Sequence, residues 1–300
     1  MTFWTAMRKV LFGFLICFIA ACSKDTDVII PDMPNNDEKV QQTEIISILT
    51  GNDTIENGDI IAGRSAESEK VKVRIYLKGL INLLSQTPLE HNYVSVSGLT
   101  GTNIYATLPA TVGSTEYIIV GAHYDAVSGS PGANDNASGV AMIFGLIKEL
   151  KKVKFRNKHV MFVFFDHEEL YLTGSRMFAD KILLDSLNVH SVHTVDQMGW
   201  DNDGDRAIEL ELPTDSLKVI YQETASELGI PVHVTMTGST DHSAFRNRGF
   251  KAIGLTEEYI NGDTTPYYHQ SGDTYATINF DYLTSSTLLM SKVIANIVSE

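Results

Sequence analysis

"EYIIVGAHYD", residues 116–125, is the stretch that decides the fold. Four residues of high strand preference, Tyr117 to Val120, and small Gly121 and Ala122 make a nearly continuous apolar run, which then breaks into His123, Tyr124 and Asp125. A run apolar on both alternating faces marks a strand buried on both sides, as in parallel sheets covered by helices. The pattern recurs downstream. "KHVMFVFFDHEE" (158–169) is a second buried strand with an acidic end, "HSVHTVDQMGW" (190–200) a third and "FKAIGLTEE" (250–258) a fourth. Between the first two lies "ASGVAMIFGLIKELKK" (137–152), which places Val140, Ile143, Phe144, Ile147 and Leu150 on one helical face. Its lysines fall in the last turn, opposing the helix dipole.

Working outward, "VKVRIYLKGLINLL" (71–84) reads as a helix, "HNYVSVSG" and "TNIYATLPA" as a hairpin across "GLTG" (98–101), and "DYLTSSTLLMSKVIANIVSE" (281–300) as a closing amphipathic helix. The expected fold is α/β: a mixed, mainly parallel central sheet flanked by helices on both faces, as one globular domain over 43–300. No internal repeat is present.

The first 22 residues form a separate device. Arg8 and Lys9 precede the apolar run "VLFGFLICFI" (10–19), too short to span a bilayer comfortably, and small residues lead into Cys22. This is a secretory signal, and "IAAC" resembles the lipoprotein form, in which the cysteine is lipidated and becomes the mature N-terminus. The acidic, proline-punctuated stretch 23–42 reads as a tether. The expected location is the cell envelope with the globular domain outside the cytoplasm. Ser23 lacks the aspartate character associated with inner-membrane retention, which favours the outer membrane.

Composition narrows the chemistry. Formal net charge is -14, with 43% hydrophobic and 20% charged residues, and no cluster of Lys and Arg offers a nucleic-acid surface. The two cysteines, Cys17 and Cys22, both belong to the export segment, so any metal must be held by His, Asp and Glu.

Those residue types collect where strands end, and in such folds the functional crevice lies beyond the strands' carboxyl ends. His123 and Asp125, two apart, share a face. One can ligate a metal while the other fixes the imidazole tautomer. Asp135, beyond the loop "AVSGSPGAN", can bridge two cations or cap a helix. Glu168 and Glu169 are adjacent acids that can divide ligation from proton transfer. Glu257 and Glu258 are a rival pair, less favoured because the first is followed by the "TGS" turn and a helix. Asp196 ends a strand, and His269 sits in "YYHQSGDT". The other histidines considered, His91, His159, His190, His193 and His233, lack such context. The ordered set has two histidines, three or four carboxylates and no thiolate, which suits a pair of zinc ions.

The blocks "GAHYD", "PGANDNASG", "FFDHEELYLTGS", "VDQMG", "TDHSAF" and "YHQSGDT" resemble the co-catalytic zinc exopeptidases, which include bacterial leucyl aminopeptidases and have glutamate carboxypeptidase II and glutaminyl cyclases as relatives. The resemblance implies that His123 and Asp196 bind one zinc, Glu169 and His269 the other, and that Asp135 bridges them. It places Glu168 as general base and Asp125 as the residue orienting the histidine, with a cis peptide bond on one side of Asp135. The implied function is hydrolysis of N-terminal residues from peptides by an enzyme with two zinc ions per subunit. The alternatives are single-zinc glutaminyl cyclisation and a non-catalytic binding ectodomain. His167 stands where the family has glycine. Gln197 replaces a hydrophobic or acidic residue. The tyrosine near the "DH" block is missing, leaving Thr237, Ser239, Tyr267 or Tyr268 to supply a hydroxyl.

Overall fold

In the computed structural model, residues 36–300 are described; the signal segment, Cys22 and residues 23–35 of the tether lie outside them. The described chain forms seven α-helices and one eight-stranded sheet of order β1-β2-β4-β3-β5-β8-β6-β7. Its centre is β4 (His159–Phe165), β3 (Glu116–His123), β5 (Asn188–Val195) and β8 (Ala252–Glu257), all parallel. The expected hairpin, β1 (Leu89–Val94) and β2 (Thr100–Leu108), joins antiparallel to β4. On the other side β6 (Ile208–Glu211) runs antiparallel to β8, and β7 (Val232–Thr235) runs parallel to β6.

Strand alternation divides β4 between two cores. Val160, Phe162 and Phe164 face the larger one, built with α3 (Gly139–Leu150) and α7 (Phe280–Ser299). Met161, Val163 and Phe165 face the smaller one, with α4 (Thr173–Leu184) and α6 (His242–Arg246). Phe144 of α3 stacks on Phe164 at a centroid distance of 4.9 Å. Burying each such ring contributes roughly 1.5–3 kcal/mol.

Two sequence expectations change. The single apolar face assigned to α3 is instead burial all round, Lys148 excepted, because α1 (Asn36–Leu49) and α7 cover its outer side. The domain also begins before Thr43. Residues 36–42, assigned to the tether, are the first turns of α1, where Gln42 donates to Thr287 Oγ1 at 2.8 Å and is fully buried. The remaining helices are α2 (Glu67–Leu83) and α5 (Asp215–Leu228).

Register sets the site. His123, last in β3, lies beside Phe165, last in β4, and Asp196 directly follows β5. Three neighbouring parallel strands therefore deliver their polar ends to one edge of the sheet.

Candidate active site

His123 is the hub of that edge. Its Nε2 lies 3.3 Å from Asp135 Oδ1, 3.3 Å from Asp196 Oδ1 and 4.0 Å from Glu168 Oε2. Its Nδ1 is 3.1 Å from the Asp125 carbonyl oxygen and 3.5 Å from that residue's Oδ1. Donation by Nδ1–H toward Asp125 leaves Nε2 as the lone-pair nitrogen facing the carboxylates. Across Asp135, Oδ2 is 3.2 Å from His269 Nε2, which is 3.0 Å from Glu169 Oε2. Two potential ligand groups result, His123–Asp135–Asp196 and Asp135–Glu169–His269, sharing Asp135; a third grouping joins His123 with Glu168 and Glu169. All seven site residues expected from sequence are thus brought together.

Asp125 serves the site in a way its spacing from His123 does not reveal. Its carboxylate accepts from the backbone N–H of Glu168 at 3.0 Å and of Glu169 at 3.3 Å, pinning the turn that carries both acids. Asp135 is held in the same manner by Asp273, which accepts from Asn134 N–H at 2.7 Å and Asp135 N–H at 3.0 Å. The peptide bond Asp135–Asn136 is cis. Fully buried Arg64 binds the carbonyls of Tyr124, Leu49, Pro131 and Gly132, tying the loop before Asp135 to the rest of the fold. Neither Arg64 nor Asp273 was singled out as a positioning residue from sequence. For Asp273, replacement by Asn should weaken zinc affinity about 10- to 100-fold, the usual effect of losing a group that orients a ligand. A competition titration with a chromophoric chelator checks it, and unchanged affinity would remove Asp273 from this role.

The rival acids serve structure. Glu257 accepts from Asn134 Nδ2 at 2.7 Å and from Thr265 N–H at 2.7 Å, while Glu258 pairs with His233 at 3.0 Å. His167 occupies the family's glycine position with φ +57°, the left-handed region that favours glycine. Lys70 Nζ donates to its Nε2 at 2.6 Å, so Nδ1 carries the proton and meets Tyr93 Oη at 3.0 Å. Lys70 also pairs with buried Asp166 at 2.7 Å. Gln197 accepts from the Tyr259 hydroxyl at 2.6 Å. Of the two tyrosines considered, Tyr268 lines the cavity beside Asp135, Glu168 and Asp196, whereas Tyr267 packs edge-on against Trp200.

The electrostatics call for a cation. Among the described residues, the ion pairs of Asp135, Glu168, Glu169 and Asp196 are to His123 and His269, and no Lys or Arg pairs with them. Burial pushes Glu168 well above the usual carboxylate range, with Asp196, Asp241 and Asp125 adding repulsion. Glu169 rises to about 7, through burial and then Asp135. His123, despite burial, is held up by Asp196 and Glu168, and His269 by its bond to Asp135. Asp135 stays low because both histidines bond it against the effect of burial. Buried Glu169 Oε1 has no hydrogen-bond partner among the described residues, and neither has Asp241 Oδ1. Oxygen and imidazole donors without thiolate, closely packed and short of positive charge, fit divalent metal of the zinc type.

A probable leucine aminopeptidase of Arthroderma otae is 31% identical over 204 residues, 60% of this chain and 53% of that protein. Aminopeptidase YwaD of Bacillus subtilis is 29% identical over 206 residues, 64% of this chain and 43% of its own. The chain thus spans about half the length of the curated relatives it matches. Its fold superposes on BSAP, a zinc aminopeptidase from Bacillus subtilis, with a TM-score of 0.76 at 15% identity, covering 87% of this chain and 95% of that one. Porphyromonas gingivalis glutaminyl cyclase superposes with 0.71 at 15% identity, covering 87% and 98%. The sequence profile of Peptidase family M28 matches residues 103–294, from β2 into α7 and across every residue of the site, so the chain belongs to peptidase family M28.

Proposed function

We propose that this chain is an exported, lipid-anchored aminopeptidase that removes N-terminal residues from peptides, using two zinc ions and Glu168 as the proton carrier. The observation that carries the proposal is the sharing of Asp135 by two complete ligand groups. In this reading His123 and Asp196 hold one ion, Glu169 and His269 the other, and Asp135 spans both. Bound there, the ions supply Lewis acidity toward the scissile carbonyl and toward the water that attacks it.

The chain's own residues do the rest. Glu168, 4.0 Å from His123 Nε2 and with its side chain only 12% exposed, accepts the attacking water's proton and returns it to the leaving amine. Burial raises its affinity for a proton, as suits a group that must both take and give one. Asp125 keeps His123 in one tautomer and holds the Glu168–Glu169 turn in place. Tyr268, Thr237 and Ser239, in the wall of the same cavity, are hydroxyls available to the substrate carbonyl oxygen. Lipidation at Cys22 and the acidic tether would place the domain at the outer membrane, outside the cytoplasm.

A panel of free and N-blocked aminoacyl anilides, run with metal analysis on the same preparation, tests the reading. Expected are cleavage of the free-amine substrates alone and two zinc ions per chain. One zinc with pyroglutamate formed from glutaminyl peptides would replace hydrolysis by cyclisation.

A further inference from the structure

The cavity that opens beside Asp135, Glu168 and Asp196 has a volume of about 330 Å³. Every other residue lining it, from Gln197 and Glu211 to Thr256 and Tyr268, carries a side-chain oxygen, and none is aliphatic, Lys, Arg or His. This wall exposes as much polar surface as apolar, against the mostly apolar lining expected around a leucyl side chain. Such a side chain would strip water from these oxygens and return no hydrogen bond.

Glu211 is the decisive group. It is the last residue of β6, pairs with Gly254 of β8 and is buried. A Cβ on residue 254 would lie 2.7 Å from Glu211 Oε2, so the glycine leaves room for the carboxyl. Thr240 Oγ1 donates to that oxygen at 2.6 Å. The carboxyl has no cationic partner among the described residues. The closest basic group is His242 Nδ1 at 3.5 Å, and burial pushes that ring down to about 4, leaving it neutral at pH 7. The site chemistry described above makes no use of Glu211.

We propose that this cavity is the subsite for the substrate's N-terminal side chain, and that it selects lysine or arginine through Glu211. The proposal rests on the aminopeptidase reading for the identity of the occupant. An ammonium or guanidinium carries donors only, and the cavity's oxygens offer acceptors; burial pushes Glu211 up to about 8, and a cation seated beside it would draw that carboxyl into its ionised form.

The test compares L-lysinamide with L-norleucinamide, the same side chain without its ammonium, by calorimetric titration of the zinc-loaded protein. Lysinamide should bind at least about tenfold more tightly, the discrimination expected when a buried polar group gains or lacks its partner. Glu211→Gln should shrink that ratio to within about threefold. Thr240→Val, which releases the carboxyl from its hydrogen bond, should reduce it less. Norleucinamide binding as tightly as lysinamide to the unsubstituted protein overturns the proposal, whatever the variants do. A ratio that survives in Glu211→Gln removes Glu211 from the role. Lysyl and norleucyl anilides run in parallel separate the two readings. If neither is cleaved while the binding ratio holds, the subsite stands and the peptidase assignment falls.

Discussion

Glu168→Gln should lower kcat about 100- to 10,000-fold, the range lost when a positioned acid–base group is removed, or about 2.7–5.5 kcal/mol of barrier. Glutamine keeps the shape of the side chain and its place on the turn that Asp125 pins, and it loses only the capacity to carry a proton. Two zinc ions should therefore remain in the variant and KM should change little. Steady-state kinetics with metal analysis on one sample separates the outcomes. Full activity would remove Glu168 from proton transfer. Zinc lost together with activity would make it a ligand, a role its grouping with His123 and Glu169 makes geometrically available.

Asp135→Ala should act on both ions at once. Asp135 is the one residue common to the two ligand groups, and its two oxygens face different histidines, at 3.3 Å and 3.2 Å. Its removal should reduce zinc from two ions per chain to one or none after dialysis, with activity falling more than about 1,000-fold. Stability should fall too, since a ligand present at 100 times its dissociation constant contributes about 2.7 kcal/mol per site. Unfolding followed with and without zinc should show a smaller metal-dependent shift in Tm than for the unsubstituted protein. An undiminished shift with two ions retained would mean that the bridge is not Asp135.

The site was more legible in the sequence than the frame around it, and the reason is topological. His123, Glu168, Glu169 and Asp196 each follow an apolar run, and parallel register carries such ends to one edge without further information. Asp125 was legible as a member of the site, but its bonds to the Glu168 and Glu169 amides join residues more than forty apart and exist only in the folded chain. α1 was hidden because buried Glu38 and Gln42 sit among its apolar residues, so residues 36–42 resemble linker. Burial against Glu149 pushes Glu38 up to about 7, and its protonation reduces the charge cost of that position.

β6 and β7 are four residues each, too short for alternation to stand out, and Glu211 was missed with them. α5 did carry a signal. Leu217, Tyr221, Thr224 and Ala225 recur at helical spacing, and Gly229 follows in the left-handed conformation that ends helices. The departure at His167 was visible as a residue type, but the reason it is tolerated was not. Its positive φ is accommodated while Lys70 and Tyr93 hold the ring, and those partners come from α2 and β1.

Anomalous diffraction at the zinc edge, from crystals of this chain grown with zinc, tests the central claim most directly. The account predicts two ions per chain, one touching His123 and Asp196, one touching Glu169 and His269, and Asp135 in contact with both. A single ion, or a pair in which Asp135 contacts neither, would contradict it.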